Sequence, residues 1–211
     1  MENKDTDSIT LNDSLLIGEG GSRNCYIHPE DKNLCIKTIK KKSDQRSVDR
    51  EVGYLKRMKK RGNSFRMIAK YDHSVMTSEG KGEVYELVRD YNGEISKDLK
   101  YYLNLKDESI NHKIIELVED LRKYLKNEKI RFSDLCSHNV LLKKVDENEY
   151  EMVVIDGIGD NNQIPLLEYV YFLGIKRSIR KWEKFRLELI NEFGCNEKDI
   201  KHFMDEAIRV K

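Results

Sequence analysis

The hydrophobic period of the chain changes near residues 89–93, and any fold must accommodate both patterns. Before that point, short apolar runs are broken by glycine and turn residues. Runs at 15–17 and 25–27 flank Gly18-Glu-Gly20-Gly21-Ser-Arg-Asn, and His28-Pro29-Glu30-Asp31 forms the next turn. Residues 34–39 alternate with the period of a half-buried strand, Leu34, Ile36 and Thr38 on one side and Cys35, Lys37 and Ile39 on the other. Val48, Val52, Leu55 and Met58 then recur at helical spacing up to Gly62. Strands are expected over 67–76 and 83–88, joined by a turn at 78–82.

Beyond residue 93 the period becomes that of a helix. Ser96 to Leu105 is a short candidate helix, and Ile114, Leu117, Val118, Leu121 and Leu125 define an amphipathic helix over about 109–127. Apolar runs at 140–142 and 152–155 flank Asp146-Glu147-Asn148 and predict a hairpin. The end, 164–210, reads as helical, with Gly194 as a stop between two helices. The expected class is therefore α+β: a small antiparallel β-sheet with one helix, then a mostly helical part.

Composition narrows the function classes. The 211 residues carry 39 Lys+Arg against 38 Asp+Glu, a net charge of +1. That balance argues against a general nucleic-acid binder, which carries a basic excess. No run approaches the 18 or so apolar residues of a transmembrane helix, and the opening MENKDTDSIT lacks the apolar run of a signal peptide. Cys25, Cys35, Cys136 and Cys195 are scattered, with no paired spacing, and read as reduced thiols of a cytoplasmic protein.

Five polar features occur in a fixed order. Gly18-x-Gly20-Gly21 between two strands can bring backbone N–H groups close to phosphate oxygens, or can simply be a tight turn. Lys37, inside a strand, needs a partner or a ligand phosphate unless it lies at a sheet edge. Glu51, about a quarter turn from the apolar stripe of its helix, is either solvated or within easy reach of Lys37 as an ion pair. Asp134 and Asn139 flank a tight loop before a strand, a pattern that suits proton acceptance and Mg²⁺ coordination. Asp156 ends the apolar run 153–155, where a carboxylate needs a cation or a partner.

In this order, on these elements, the series resembles the protein-kinase-like fold, including its aminoglycoside-phosphotransferase branches. The run from Gly21 through Lys37 is similar to the PhoP regulatory network protein YrbL family, and the resemblance spans about residues 15–186. It implies a bilobal α+β fold, with a small N-lobe over 1–90 and a reduced helical C-lobe over 91–211. Gly18, Gly20 and Gly21 would cover the ATP phosphates. Lys37 would contact them while Glu51 holds it, and Glu86 to Val88 would offer backbone hydrogen bonds to adenine. Asp134 would orient the acceptor hydroxyl, and Asn139 and Asp156 would hold Mg²⁺.

The pattern also departs from that of protein kinases. Phe132-Ser133 precede Asp134, Gly157-Ile158 follow Asp156, and no Ala-Pro-Glu appears before residue 211. A long activation segment and a full peptide platform are not expected. The implied activity is an ATP/Mg²⁺-dependent phosphotransferase acting on a small-molecule, sugar or envelope-glycan acceptor. The alternative is a non-catalytic kinase-like regulator that binds nucleotide or a protein partner. One further feature stands apart: Lys176, Arg180 and Lys184 share one side of a helix whose other side carries Ile175, Ile179, Trp182, Phe185 and Leu189. It reads as a solvated face over a core stripe, or as a docking face for an acidic partner or phosphorylated substrate. His138, beside Asn139, is expected to bond to backbone.

Overall fold

The computed structural model describes residues 8–159 and 171–205. Five antiparallel strands, β1 (Leu16–Glu19), β2 (Arg23–Ile27), β3 (Leu34–Ile39), β4 (Tyr71–Thr77) and β5 (Gly80–Glu86), form one sheet in the order β1-β2-β3-β5-β4. Helix α1 (Gln45–Arg61) connects β3 to the segment before β4. Its stripe of Val48, Val52, Leu55 and Met58 is buried, as the spacing predicts, and Tyr54 is buried with it. Lys59, Lys60 and Arg61 oppose the negative end of its dipole, and Gly62 closes it at φ +76°.

A second sheet of three strands, β6 (Lys97–Asp98), β7 (Val140–Lys144) and β8 (Tyr150–Val154), runs in sequence order. The β7–β8 hairpin lies where the apolar runs at 140–142 and 152–155 place it. Helices α2 (Leu99–Leu105), α3 (Glu108–Asn127) and α4 (Tyr171–Phe193) complete the described elements. Asp98 and Asp107 cap α2 and α3 by accepting the N–H groups of Tyr101 and Ser109 at 2.8 and 2.9 Å.

Several expectations change. The strand expected over 67–76 begins only at Tyr71, because 67–69 are drawn to β8 instead. Val154 N–H donates to Met67 O at 2.9 Å, and Ala69 N–H donates to Val154 O at 3.0 Å. The turn expected at 78–82 narrows to Ser78-Glu79, since Thr77 pairs with Gly80 and its Oγ1 donates to Gly80 O at 2.7 Å. The candidate helix at 96–105 starts at Leu99, its first residues being taken by β6. Gly194 does end α4, but residues 195–205 form turns rather than a second helix. The parts of the expected helical end at 164–170 and 206–210 lie outside the described residues.

One large core joins the two patterns. It holds Val52, Leu55 and Met58 of α1, Val118 and Leu121 of α3, Val140 and Leu142 of β7, and Trp182, Phe185 and Leu189 of α4. The strand-rich part and the helix-rich part are thus packed through shared apolar contact, which leaves polar groups at their junction near β3 and the end of β8.

Candidate functional site

Strand pleating assembles the first half of the site. Cys25 lies opposite Lys37, and Cys35 lies opposite Tyr85. Residues two apart on a strand share a face, so Arg23, Cys25, Cys35, Lys37 and Tyr85 all face one side of the sheet. Glu51 of α1 and Ile155-Asp156 after β8 meet that face.

Arg23 is the centre of the cluster. Its Nη1 and Nη2 donate to Oε1 and Oε2 of Glu51, each at 3.1 Å, and Nη2 also donates to Oδ1 of Asp156. Tyr85 OH donates to Glu51 Oε1 at 3.0 Å. Lys37 Nζ donates to Ile155 O at 2.6 Å and lies 4.9 Å from the centre of the Tyr85 ring. The expected Lys37–Glu51 ion pair is therefore replaced by an Arg23–Glu51 pair. The reason is the geometry of the groups: a planar guanidinium grips a carboxylate with two parallel bonds and still has a donor for Asp156, whereas an ammonium offers only a point charge.

The two carboxyl groups respond in opposite directions. Burial acts to raise Asp156, but Lys37 and Arg23 outweigh it and hold the carboxyl well below the usual range. Burial raises Glu51, against the opposing pull of Arg23 and with reinforcement from the Asp156 charge.

The second half of the site is a pair of loops laced together. Ser133 and Asp134 N–H groups donate to Gly157 O at 2.8 and 3.3 Å, Gly159 N–H donates to Arg131 O at 2.8 Å, and Ile155 N–H donates to Asn139 O at 2.9 Å. Asn139 Nδ2 donates to Asp134 O at 3.1 Å and to its Oδ2 at 3.4 Å. Phe132 is buried, its ring 5.8 Å from that of Phe203, so it anchors the loop from below. Asp134 itself is exposed. Lys37, Glu51, Asp134, Asn139 and Asp156, spread over 120 positions of the sequence, thus belong to one contiguous region.

The glycine turn and residues 86–88 have backbone partners of their own within the fold. None of Gly18, Gly20 or Gly21 has a left-handed φ, and Gly20 N–H is committed to Arg23 O at 2.8 Å. Gly21 has open space around it. Glu86 N–H donates to Lys70 O at 2.8 Å, Leu87 N–H to Asn33 O at 2.8 Å, and Val88 O accepts from Ser96 N–H at 3.2 Å. Three of the backbone groups in the segment expected to meet adenine thus have partners within the fold.

A divalent ion held by Asn139 and Asp156 would have to share the Asp156 carboxyl with a guanidinium that already bonds to it. Asp156 Oδ1 already accepts from Arg23 and from Gly157 N–H, the latter at 2.6 Å. Among the described residues no group of three or more His, Cys, Asp or Glu is placed to hold a metal. Arg23 was not among the candidates read from sequence, although the alternation of β2 places it on the face of Lys37. The signal was available: in the pattern G-x-G-x-x-G-x-V, Arg23 stands at the third glycine and Cys25 at the valine.

Outside the site, His138 bonds to a carboxylate rather than to backbone, its Nδ1 lying 3.0 Å from Asp98 Oδ2. Lys176, Arg180 and Lys184 are exposed, while Trp182, Phe185 and Leu189 are fully buried, so the basic side of α4 faces outward over a core stripe. Arg186 is buried and paired with Glu183 and Glu197, so it is no part of that face. The four cysteines are free thiols. Among the described residues no helix is long and apolar enough to cross a membrane.

The chain belongs to the PhoP regulatory network protein YrbL family, whose model matches residues 9–189 and so covers the whole site. It is 29% identical over 180 residues to the uncharacterized protein YrbL of Escherichia coli (strain K12), spanning 84% of this chain and 86% of that one. The uncharacterized protein YrbL of Shigella flexneri is similar to the same extent.

Proposed function

We propose that this protein is a nucleotide-dependent phosphotransferase of the protein-kinase-like fold, acting on a small-molecule, sugar or envelope-glycan acceptor. In this reading β1–β5 and α1 form the small lobe, and the rest forms a reduced helical lobe. The observation that carries it is the hydrogen bond from Lys37 Nζ to Ile155 O, one residue before Asp156 and 118 residues from Lys37 in sequence. It joins an ammonium to the segment Ile155-Asp156-Gly157, which bonds to Arg23 on one side and to the Asp134 loop on the other.

The chemistry follows from those groups. Phosphoryl transfer needs positioning and neutralisation of charge on the phosphate oxygens more than covalent help. Lys37 and Arg23 supply cations, which cost no reorganisation because Glu51, Tyr85 and Ile155 O already hold them. Asp134 accepts the proton of an acceptor hydroxyl, held in place by Asn139 and by the loop bonds to Gly157 O. Mg²⁺ is left out of this scheme because Arg23 already bonds to Asp156 Oδ1.

A second reading, a nucleotide-binding regulator that transfers no phosphate, is favoured by the same Arg23–Asp156 contact. Incubation with γ-labelled ATP and a panel of sugars and glycans separates the two. The proposal expects label transfer by the wild type and a loss of about 100-fold or more in Asp134→Asn. Saturable nucleotide binding with no transfer to any acceptor would instead establish the regulator.

A further inference from the structure

We infer that Arg23 is the resident cation of this site, performing for a bound polyphosphate the neutralising role usually given to a divalent metal, so that nucleotide binding here is independent of divalent ions. The inference rests on the nucleotide-site reading above and goes beyond it by naming what balances the charge. Three observations lead to it. The guanidinium is nearly buried, at 9% exposure, and bridges Glu51 and Asp156 through three bonds. Arg23 and Lys37 together match Glu51 and Asp156 in formal charge, so these two carboxylates need no added ion to balance them. And Arg23 leaves the glycine turn directly, its own carbonyl closing the turn on Gly20 N–H, which puts its side chain on the path from the turn to Asp156.

A divalent ion at Asp156 would sit against a guanidinium that cannot lose its proton, and repulsion would either exclude the ion or expel Arg23. A polyphosphate has the opposite effect. It brings acceptor oxygens that the unpaired N–H groups of Arg23 can engage while the two Glu51 bonds stay in place, because the guanidinium carries five donors. Glu51 thereby acts as a positioning residue for Arg23 rather than for Lys37. A divalent ion travelling on the nucleotide itself would still bind, but would add little affinity.

Titration with a fluorescent ATP analogue, in excess EDTA and in excess Mg²⁺, tests this. The wild type is expected to bind with dissociation constants within about threefold of each other under the two conditions. Arg23→Gln, which keeps size and polarity but loses the charge, is expected to bind at least about tenfold more weakly in EDTA and to recover part of that loss with Mg²⁺. Arg23→Lys, which keeps the charge but loses the fork, should retain only part of the metal-independent binding. Circular dichroism confirms that each variant is folded, and the wild-type comparison decides the matter even where a variant does not fold. Wild-type binding that weakens tenfold or more in EDTA overturns the inference while leaving the nucleotide site intact. Unchanged binding by folded Arg23→Gln in EDTA also overturns it. No saturable binding by the wild type under either condition overturns both the inference and the site reading.

Discussion

Replacing Gly157 by alanine would place a Cβ 2.1 Å from Asp134 O and 2.8 Å from the carbon that bears it, at a backbone φ of +75°. Two costs add. An L-residue in the left-handed region loses about 1–2 kcal/mol. The overlap with Asp134 O is about 1 Å deeper than carbon and oxygen tolerate and involves backbone on one side, so the 133–134 segment must shift. That shift weakens the bonds from Ser133 and Asp134 N–H to Gly157 O, each contributing about 0.5–1.5 kcal/mol. The expected destabilisation is roughly 2–5 kcal/mol, equivalent to a fall of about 5–15 °C in Tm for a chain of this size. Gly62→Ala is the control: its φ is +76°, but nothing lies within 4 Å of the added Cβ, so only the conformational cost applies. Thermal unfolding of both variants, followed by circular dichroism, gives the comparison. Equal Tm shifts in the two would refute the claim that the Asp134 loop is packed on Gly157. A further consequence is specific to the site, because the displaced Asp134 should reduce phosphate transfer in Gly157→Ala well below the loss of folded protein.

Cys25 should be the most reactive thiol at neutral pH. The neighbouring Cys35 thiol, aided by the Lys37 and Arg23 charges and opposed by burial, draws it down to about 7. Because the shift favours the thiolate, alkylation by iodoacetamide should rise through about pH 7 in the folded chain and through about 8.5 in the unfolded one. A folded-state midpoint near 8.5, read by mass spectrometry with Cys25→Ser as the blank, would contradict it. Tyr85→Phe keeps the ring beside Lys37 but removes the bond to Glu51, and should lower stability by about 1–2 kcal/mol in urea unfolding. No change would mean that Arg23 alone holds Glu51.

The periodic parts of the fold were legible in the sequence because their burial is local. The strand at 34–39, buried on both faces rather than half-buried, the stripe from Val48 to Met58, the amphipathic run of α3 and the β7–β8 hairpin each state their structure within a dozen or two residues. What escaped the sequence is non-local. Residues 67–69 carry a strand pattern, and only the arrival of β8 decides that they pair with it and not with β5. The turn signals at Ser78-Glu79-Gly80-Lys81-Gly82 do not reveal where the tight pair Thr77–Gly80 will close. The candidate site divides along the same line. Lys37, Glu51 and Asp156 could be nominated from their positions, but Glu51 has two basic residues within reach on one sheet face. Which of them it takes depends on the fork geometry of Arg23 and on a carboxylate 133 residues away. Backbone partners for 86–88 and for Gly20 are likewise invisible until Asn33, Lys70, Ser96 and Arg23 are placed around them.

In the proposed site Lys37, Arg23, Asp134 and Asp156 surround one nucleotide. Isothermal titration of ATP into the wild type and into folded Lys37→Met tests it most directly. The account predicts a single saturable site in the wild type and an affinity at least about tenfold lower in Lys37→Met, a loss of about 1.4 kcal/mol. Absence of binding by the wild type, or equal binding by both, would contradict it.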